Sequence, residues 1–300
     1  MRRSEGPLVI FTLLVQMGVG LFILLALFLL IELEKIRVNP LDDFTSINFL
    51  IIDSLLVIAV LAGTFHLGRP FKSRLAMGNL QKSWLSREML SGFSFGLIML
   101  ILSVLSCLRA SLPILSILLL ILGIGTGITL LYAIARIYML RTVPTWNSIV
   151  VPLSFFSASL LLGSILFSLV VAALPASPLM VSGLPAMEKF LRWISSGALG
   201  LMFIQILLSY LMLKGFQAHI HPLNNGYRIS WTKYRLLFML RLGLGLIGIA
   251  LYINFMDLFI NQFPIGGPWG YLLFTSFLLV FLSETSGRVL FYACYKSEGI

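Results

Sequence analysis

Charge is what this chain has least of. Only 11% of its 300 residues are Asp, Glu, Lys or Arg, against roughly a quarter in ordinary soluble domains. That scarcity excludes a hydrated globular surface, and with it a soluble basic face for nucleic acid, despite a formal net charge of +10. Cysteine is nearly absent. Cys107 and Cys294 end two apolar runs at opposite faces and cannot pair. Two separated cysteines also cannot hold an iron–sulfur cluster, which usually takes four ligands. There are three histidines, and only His66 borders an apolar run. His219 and His221 stand at i, i+2 in a connection, which argues against a membrane haem held by two histidines of one bundle. No HExxH zinc motif, GxSxG elbow or Gly-rich phosphate loop occurs. Gly123, Gly125 and Gly127 have no following basic residue to hold a phosphate and are expected to let helices pack closely. The expectation is a protein with no haem, no iron–sulfur cluster and no metal of its own.

What the chain has is long apolar runs. Hydrophobic residues make up 59% of it, and its mean hydropathy is +1.02. Runs of about 20 such residues have the length that crosses a bilayer, and inside hydrocarbon the backbone must satisfy itself as helix. Eight candidate spans follow: Pro7–Ile31, Ile47–His66, Met89–Cys107, Pro113–Leu140, Ile149–Leu174, Phe190–Leu213, Leu236–Ile260 and Trp269–Arg288. The first is too long for the h-region of a signal peptide and has no small-residue cleavage site after it. The predicted fold is an all-α integral membrane protein, a bundle of about eight antiparallel transmembrane helices with no soluble domain. One polytopic domain covers 1–300, and the Pro/Ser/Gly stretch Pro175–Pro185 suggests a seam between four-helix halves near 175–188.

Of the 21 Lys and Arg residues, 15 fall on the face shared by the N-terminus and the even-numbered connections, and five on the other. Arg241 lies within the seventh span. By the positive-inside rule the first face is cytoplasmic, with both termini inside a bacterial inner membrane. The same bias suits contact with anionic lipid, or an acidic partner docked on that face.

Ionisable groups within a membrane are costly and mark function by default. Here most converge on that face. His66 ends the second span, and Glu88 opens the third, so an antiparallel hairpin returns them to one level. Arg136 arrives on the fourth span and Arg241 near the start of the seventh. Glu284 and Arg288 come on the eighth, four residues apart in the favourable acid-before-base order. Each has a plainer reading. Glu284 and Arg288 form a structural ion pair, Arg136 snorkels to the interface, and Asp53 and Asp257 sit hydrated near helix ends. His66 with Glu88, beside the turn Gly68-Arg69-Pro70, joins a base to a carboxylate and reads as a functional site.

Four stretches resemble the membrane anchor subunit of bacterial dimethyl sulfoxide reductase. They are Pro7-Leu8-Val9-Ile10-Phe11-Thr12 with Gln16; His66-Leu67-Gly68-Arg69-Pro70, on to Asn79, Ser83 through Glu88 and Ser91-Gly92; Arg136-Ile137-Tyr138 into Thr142-Val143-Pro144-Thr145-Trp146-Asn147-Ser148; and Glu284 with Gly287-Arg288 and Phe291-Tyr292. Their order and spacing cover nearly the whole sequence. The resemblance implies an anchor for a molybdopterin catalytic subunit and a four-cluster iron–sulfur subunit in anaerobic respiration. Such an anchor binds menaquinol, takes its electrons and protons, and never touches the terminal substrate. His66 and Glu88 match the family's quinol-site histidine and glutamate. Neutral His66, with an ordinary pKa of about 6.5, would take one proton near working pH, and Glu88 would act as second acceptor or hydrogen-bond partner. Arg69 and Arg136 would steady developing quinolate charge, while Gly68 opens the turn. Trp84, Tyr138 and Trp146 would flank the ring or anchor the bundle at the interface. In several family members a twin-arginine signal exports the catalytic subunit, which implies the opposite orientation to the one the charges give. A related polysulfide or tetrathionate reductase anchor shares this chemistry. The alternative from another class is a proton-coupled transporter using His66, Glu88, Asp53 and Glu284 as a relay; against it, the ionisable groups cluster at one face and no repeat or broken-helix pair is evident.

Overall fold

The computed structural model describes residues 6–32, 43–66, 79–110, 112–140, 146–173, 184–218, 226–261 and 269–293. Every apolar run is a helix: α1 Gly6–Glu32, α2 Asp43–His66, α3 Trp84–Cys107, α4 Pro113–Tyr138, α5 Val150–Ala173, α6 Leu184–Ala218, α7 Gly226–Asn261 and α8 Trp269–Ala293. Each contains a stretch long and apolar enough to cross a bilayer, and no strand occurs among the described residues. The all-α membrane fold is as the hydropathy predicts.

The helix starts differ more than the helices. α3 begins at Trp84 and not at Met89, because Ser83 supplies a cap: its side chain accepts from the Ser86 amide at 3.3 Å. Glu88 therefore stands inside the helix. α6 and α7 begin well before the expected Phe190 and Leu236. Their extra turns carry Lys189 and Arg228, where a hydropathy count stops but a helix outside the hydrocarbon does not. Because α2 begins at Asp43, Asp53 lies well within it and not near its end. There it is half-buried, and Ser103 of α3 donates to its carboxylate. Asp257 is exposed near the end of α7, as expected.

Helices α1 and α5 form the centre. α1 packs on α2, α4 and α5, and α5 packs on α6, α8 and α4. Contacts α1–α2–α3–α4–α1 close one ring of four, and α5–α6–α7–α8–α5 close a second. By these contacts the division falls between α4 and α5. The Pro175–Pro185 stretch instead joins α5 to α6, and most of it lies outside the described residues.

Lipid tails are as apolar as leucine, so helices in a membrane associate through close packing and buried hydrogen bonds. The α1–α5 contact is made that way. A Cβ on Gly20 would overlap the carbonyl of Ser159, and one on Gly163 would overlap the backbone of Gly20 and Leu21. The Ser159 hydroxyl donates to the Gln16 carbonyl at 2.7 Å. On α4, Gly123 gives room to Phe22 and Gly127 to Val19 and Phe95, whereas Gly125 faces open space. Close packing thus accounts for two of those three glycines. Between α7 and α8, Ser276 and Ser283 donate to the carbonyls of Gly248 and Arg241, both at 2.7 Å.

A methyl group at position 163 should therefore be costly. Gly163→Ala is expected to lose about 1–3 kcal/mol, the usual range for overpacking, read as a lower Tm in detergent. Gly125→Ala serves as the control and should leave Tm unchanged.

Candidate functional site

The end of the bundle that gathers the predicted residues is built first from the entry to α3. The Asn79 carbonyl accepts from the amides of Lys82 (3.3 Å) and Ser83 (3.0 Å). Arg87 folds back over this turn, its Nε donating to the Leu80 carbonyl (2.9 Å) and its Nη2 to that of Gln81 (2.7 Å). Its guanidinium also lies 4.2 Å from the centroid of the Trp84 ring. Arg136 of α4 approaches the same ring at 5.0 Å, and Tyr132 meets it edge-on at 5.6 Å. Trp84 is thus engaged by two cations and a ring, a contact of roughly 0.5–1 kcal/mol per cation at an exposed site. The Arg136 Nη1 points to the Met139 sulfur at 3.7 Å, and its buried Nε has no hydrogen-bond partner among the described residues.

Glu88, half-buried in the second turn of α3, is near enough to Tyr138 and Tyr292 to act electrostatically on both. Tyr138 closes α4 and is buried. Its hydroxyl accepts from that of Tyr292 at 2.8 Å, and the Thr12 side chain of α1 lies close to Tyr292. Trp146 is buried as well, its Nε1 donating to the Phe291 carbonyl at 3.1 Å. It stacks on the Phe291 ring, with centroids 4.9 Å apart and planes 12° apart. Tyr138 packs edge-on against Trp146 and Phe291 and lies at a tilt to Phe155. Tyr138 and Trp146 are therefore members of one aromatic cluster that ties α4, α5 and α8 together, and this packing is also what aims the Tyr138 hydroxyl.

The expected Glu284–Arg288 pair is not the ion pair that forms. Glu284 takes its salt bridge from Arg241 of α7 at 3.3 Å. The same Nη2 donates to the Gln205 Oε1 of α6 at 2.6 Å, and Gln205 passes the network on to the Ser154 carbonyl (2.7 Å) and the Ser157 hydroxyl (3.0 Å). Arg288, one turn along α8, lies instead over the face of Phe155 at 3.6 Å. The i, i+4 spacing aligned the two residues, but Arg241 reaches Glu284 across the bare flank of Gly287, where a Cβ would overlap the guanidinium. Arg241, Glu284 and Arg288 are all buried. Two cations against one carboxylate leave this cluster with one excess positive charge.

His66 is the last residue of α2. Its side chain, together with Gly68 and Arg69, lies outside the described residues, as do His219, His221 and Cys294. α2 and α3 are antiparallel neighbours, so α2 ends at His66 on the same side as Glu88. Sequence reasoning did not find Gln205, Phe155 or the link between Thr12 and Tyr292. Only Tyr292 gave a signal, being i+4 from Arg288 and i+8 from Glu284 on one helical face.

Comparison with known proteins gives a consistent match over the whole sequence. The family model described as DMSO reductase anchor subunit (DmsC) matches residues 1–294. The protein is 28% identical over 298 residues to the C subunit of the anaerobic dimethyl sulfoxide reductase of Escherichia coli strain K12, covering 99% of this sequence and 96% of that one. It is 26% identical over 300 residues to the protein of the same description from Haemophilus influenzae, with the same coverage.

Proposed function

Because this chain belongs to the DMSO reductase anchor subunit (DmsC) family, we propose that it holds a reductase at the membrane and oxidises menaquinol for it. Menaquinol gives up two electrons and two protons and leaves as menaquinone. The electrons pass to the nearest cluster of a four-cluster iron–sulfur subunit, and from there to a molybdopterin catalytic subunit. His66 and Glu88 take the protons, since a quinol hydroxyl is a poor electron donor until it is deprotonated. Arg136 and Arg69 favour the partly deprotonated form through their charge. The terminal substrate is reduced in the partner, so this subunit is not the enzyme for it.

The observation that carries the reading is the position of Glu88. It is one turn inside α3, half-buried, within electrostatic reach of the Tyr138–Tyr292 hydroxyl pair, at the end of the bundle where α2 closes at His66. An acid in that position can hold a proton out of bulk water and release it to an aqueous edge. The partner docks on this same end, where the basic connections would meet an acidic surface. The 15-to-5 bias of Lys and Arg supports a cytoplasmic location for it.

Mild solubilisation of native membranes and purification through this subunit should recover molybdenum- and iron–sulfur-containing polypeptides that oxidise added menaquinol. A homogeneous single polypeptide that exchanges a solute across vesicles would overturn the proposal.

A further inference from the structure

One turn deeper than the Tyr138–Tyr292 pair, α1 and α8 each carry a buried polar group that the proton chemistry above does not use. The Thr12 side chain lies close to the Tyr292 hydroxyl, which sets the register of the two antiparallel helices. Gln16 on α1 and Arg288 on α8 each stand four residues further from that end, on the same helical sides. Contacts with α5 place the two within about one turn of each other. Ser159 donates to the Gln16 carbonyl, and Phe155, one turn before Ser159, lies under the Arg288 guanidinium. Gln16 is fully buried, yet neither its Nε2 nor its Oε1 has a hydrogen-bond partner among the described residues. A buried amide without partners is costly, and an apolar side chain of the same size would serve better if filling space were its only task. Arg288 is nearly as buried, and a ring face beneath a guanidinium leaves the donors in its plane for another acceptor.

We infer that Gln16 and Arg288 form the inner end of the quinol site and hold the second ring oxygen of the head group, while His66 and Glu88 serve the first. The inference rests on the quinol reading above. That second oxygen is an O–H donor in menaquinol and a C=O acceptor in menaquinone. Glutamine suits both, accepting through Oε1 and donating through Nε2. Arg288 only donates, and its charge strengthens the bond to a carbonyl or quinolate oxygen. The site then spans both rings of helices, with α1, α3 and α4 from one and α8 from the other.

The test uses the assembled complex, a menaquinol analogue as donor, and turnover with an artificial dye as the measure of complex present. Gln16→Leu should raise the KM for the analogue about tenfold, the usual consequence of losing one or two neutral hydrogen bonds. Arg288→Lys keeps the charge but loses the planar fork, and should shift KM in the same direction. A Gln16 that only packs gives the opposite result, a wild-type KM and a raised Tm, and that overturns the inference. Loss of quinol- and dye-driven turnover together also overturns it, since it marks a role in assembly. Glu88→Gln is measured alongside. If it loses quinol turnover while both inner variants keep wild-type KM, the inner assignment falls and the quinol reading stands. If all three keep wild-type quinol kinetics, the quinol reading falls and takes this inference with it.

Discussion

Glu88→Gln is expected to cut menaquinol-driven turnover by at least about a hundredfold, the lower end of what a positioned general base contributes, while dye-driven turnover survives. The substitution keeps the size of the side chain and its ability to hydrogen-bond, and removes only its capacity to carry a proton. Nothing in the packing of the described residues requires the charge: Glu88 is half-buried, and the α3 entry is held by the Ser83 cap and by Arg87 on the carbonyls of Leu80 and Gln81. The helix should therefore form unchanged and the partner should still dock. The measurement is the ratio of the two turnovers in membranes of matched complex content. His66→Ala should behave in the same way. A variant that loses both activities equally would assign Glu88 to assembly and not to chemistry.

Arg241→Ala should have the largest effect on stability. It removes the salt-bridge partner of Glu284 and the donor to Gln205 in one step. The carboxylate left behind is buried, and stranding one member of a buried pair typically costs about 3–5 kcal/mol. Adding Glu284→Leu to Arg241→Ala should recover most of that loss, because the charge that suffers is then gone too. Thermal unfolding of the four proteins of this double-mutant cycle measures the coupling. If Arg241→Ala costs less than about 1 kcal/mol, the upper end for an exposed pair, then Arg288 has rotated off Phe155 to take over.

The bundle itself was legible because eight runs lacking charge can satisfy their backbones in lipid only as helices. Helix starts were not, since Ser83 and the charged turns of α6 and α7 answer to capping and water and not to hydropathy. The convergence of Glu88, Arg136, Tyr138, Arg241 and Glu284 followed from counting alternate directions. Who pairs with whom did not, because helical spacing tells which residues share a face and never which neighbouring helix supplies the partner. That is why Glu284 bonds Arg241 while Arg288 turns to Phe155. Trp146 and Tyr138 were visible as aromatics at the right end, but their mutual packing with Phe291 needed α8 in place. Gln16 stood out only as one letter in a resembling stretch, and nothing in its neighbours announced an unpartnered amide.

The link between Thr12 and Tyr292 joins the earliest and the latest of the eight helices. Helices enter a membrane in the order of their synthesis, so a growing polypeptide holds Thr12 and Gln16 in the bilayer long before α8 exists. Until α8 arrives, the hydroxyl of Tyr138 also lacks the donor it has in the finished bundle. The Tyr138–Tyr292 pair is in this sense timed: it forms only with the last insertion event. A polypeptide interrupted before α8 holds Glu88 and Tyr138 without the Tyr292 hydroxyl that ties α4 to α8.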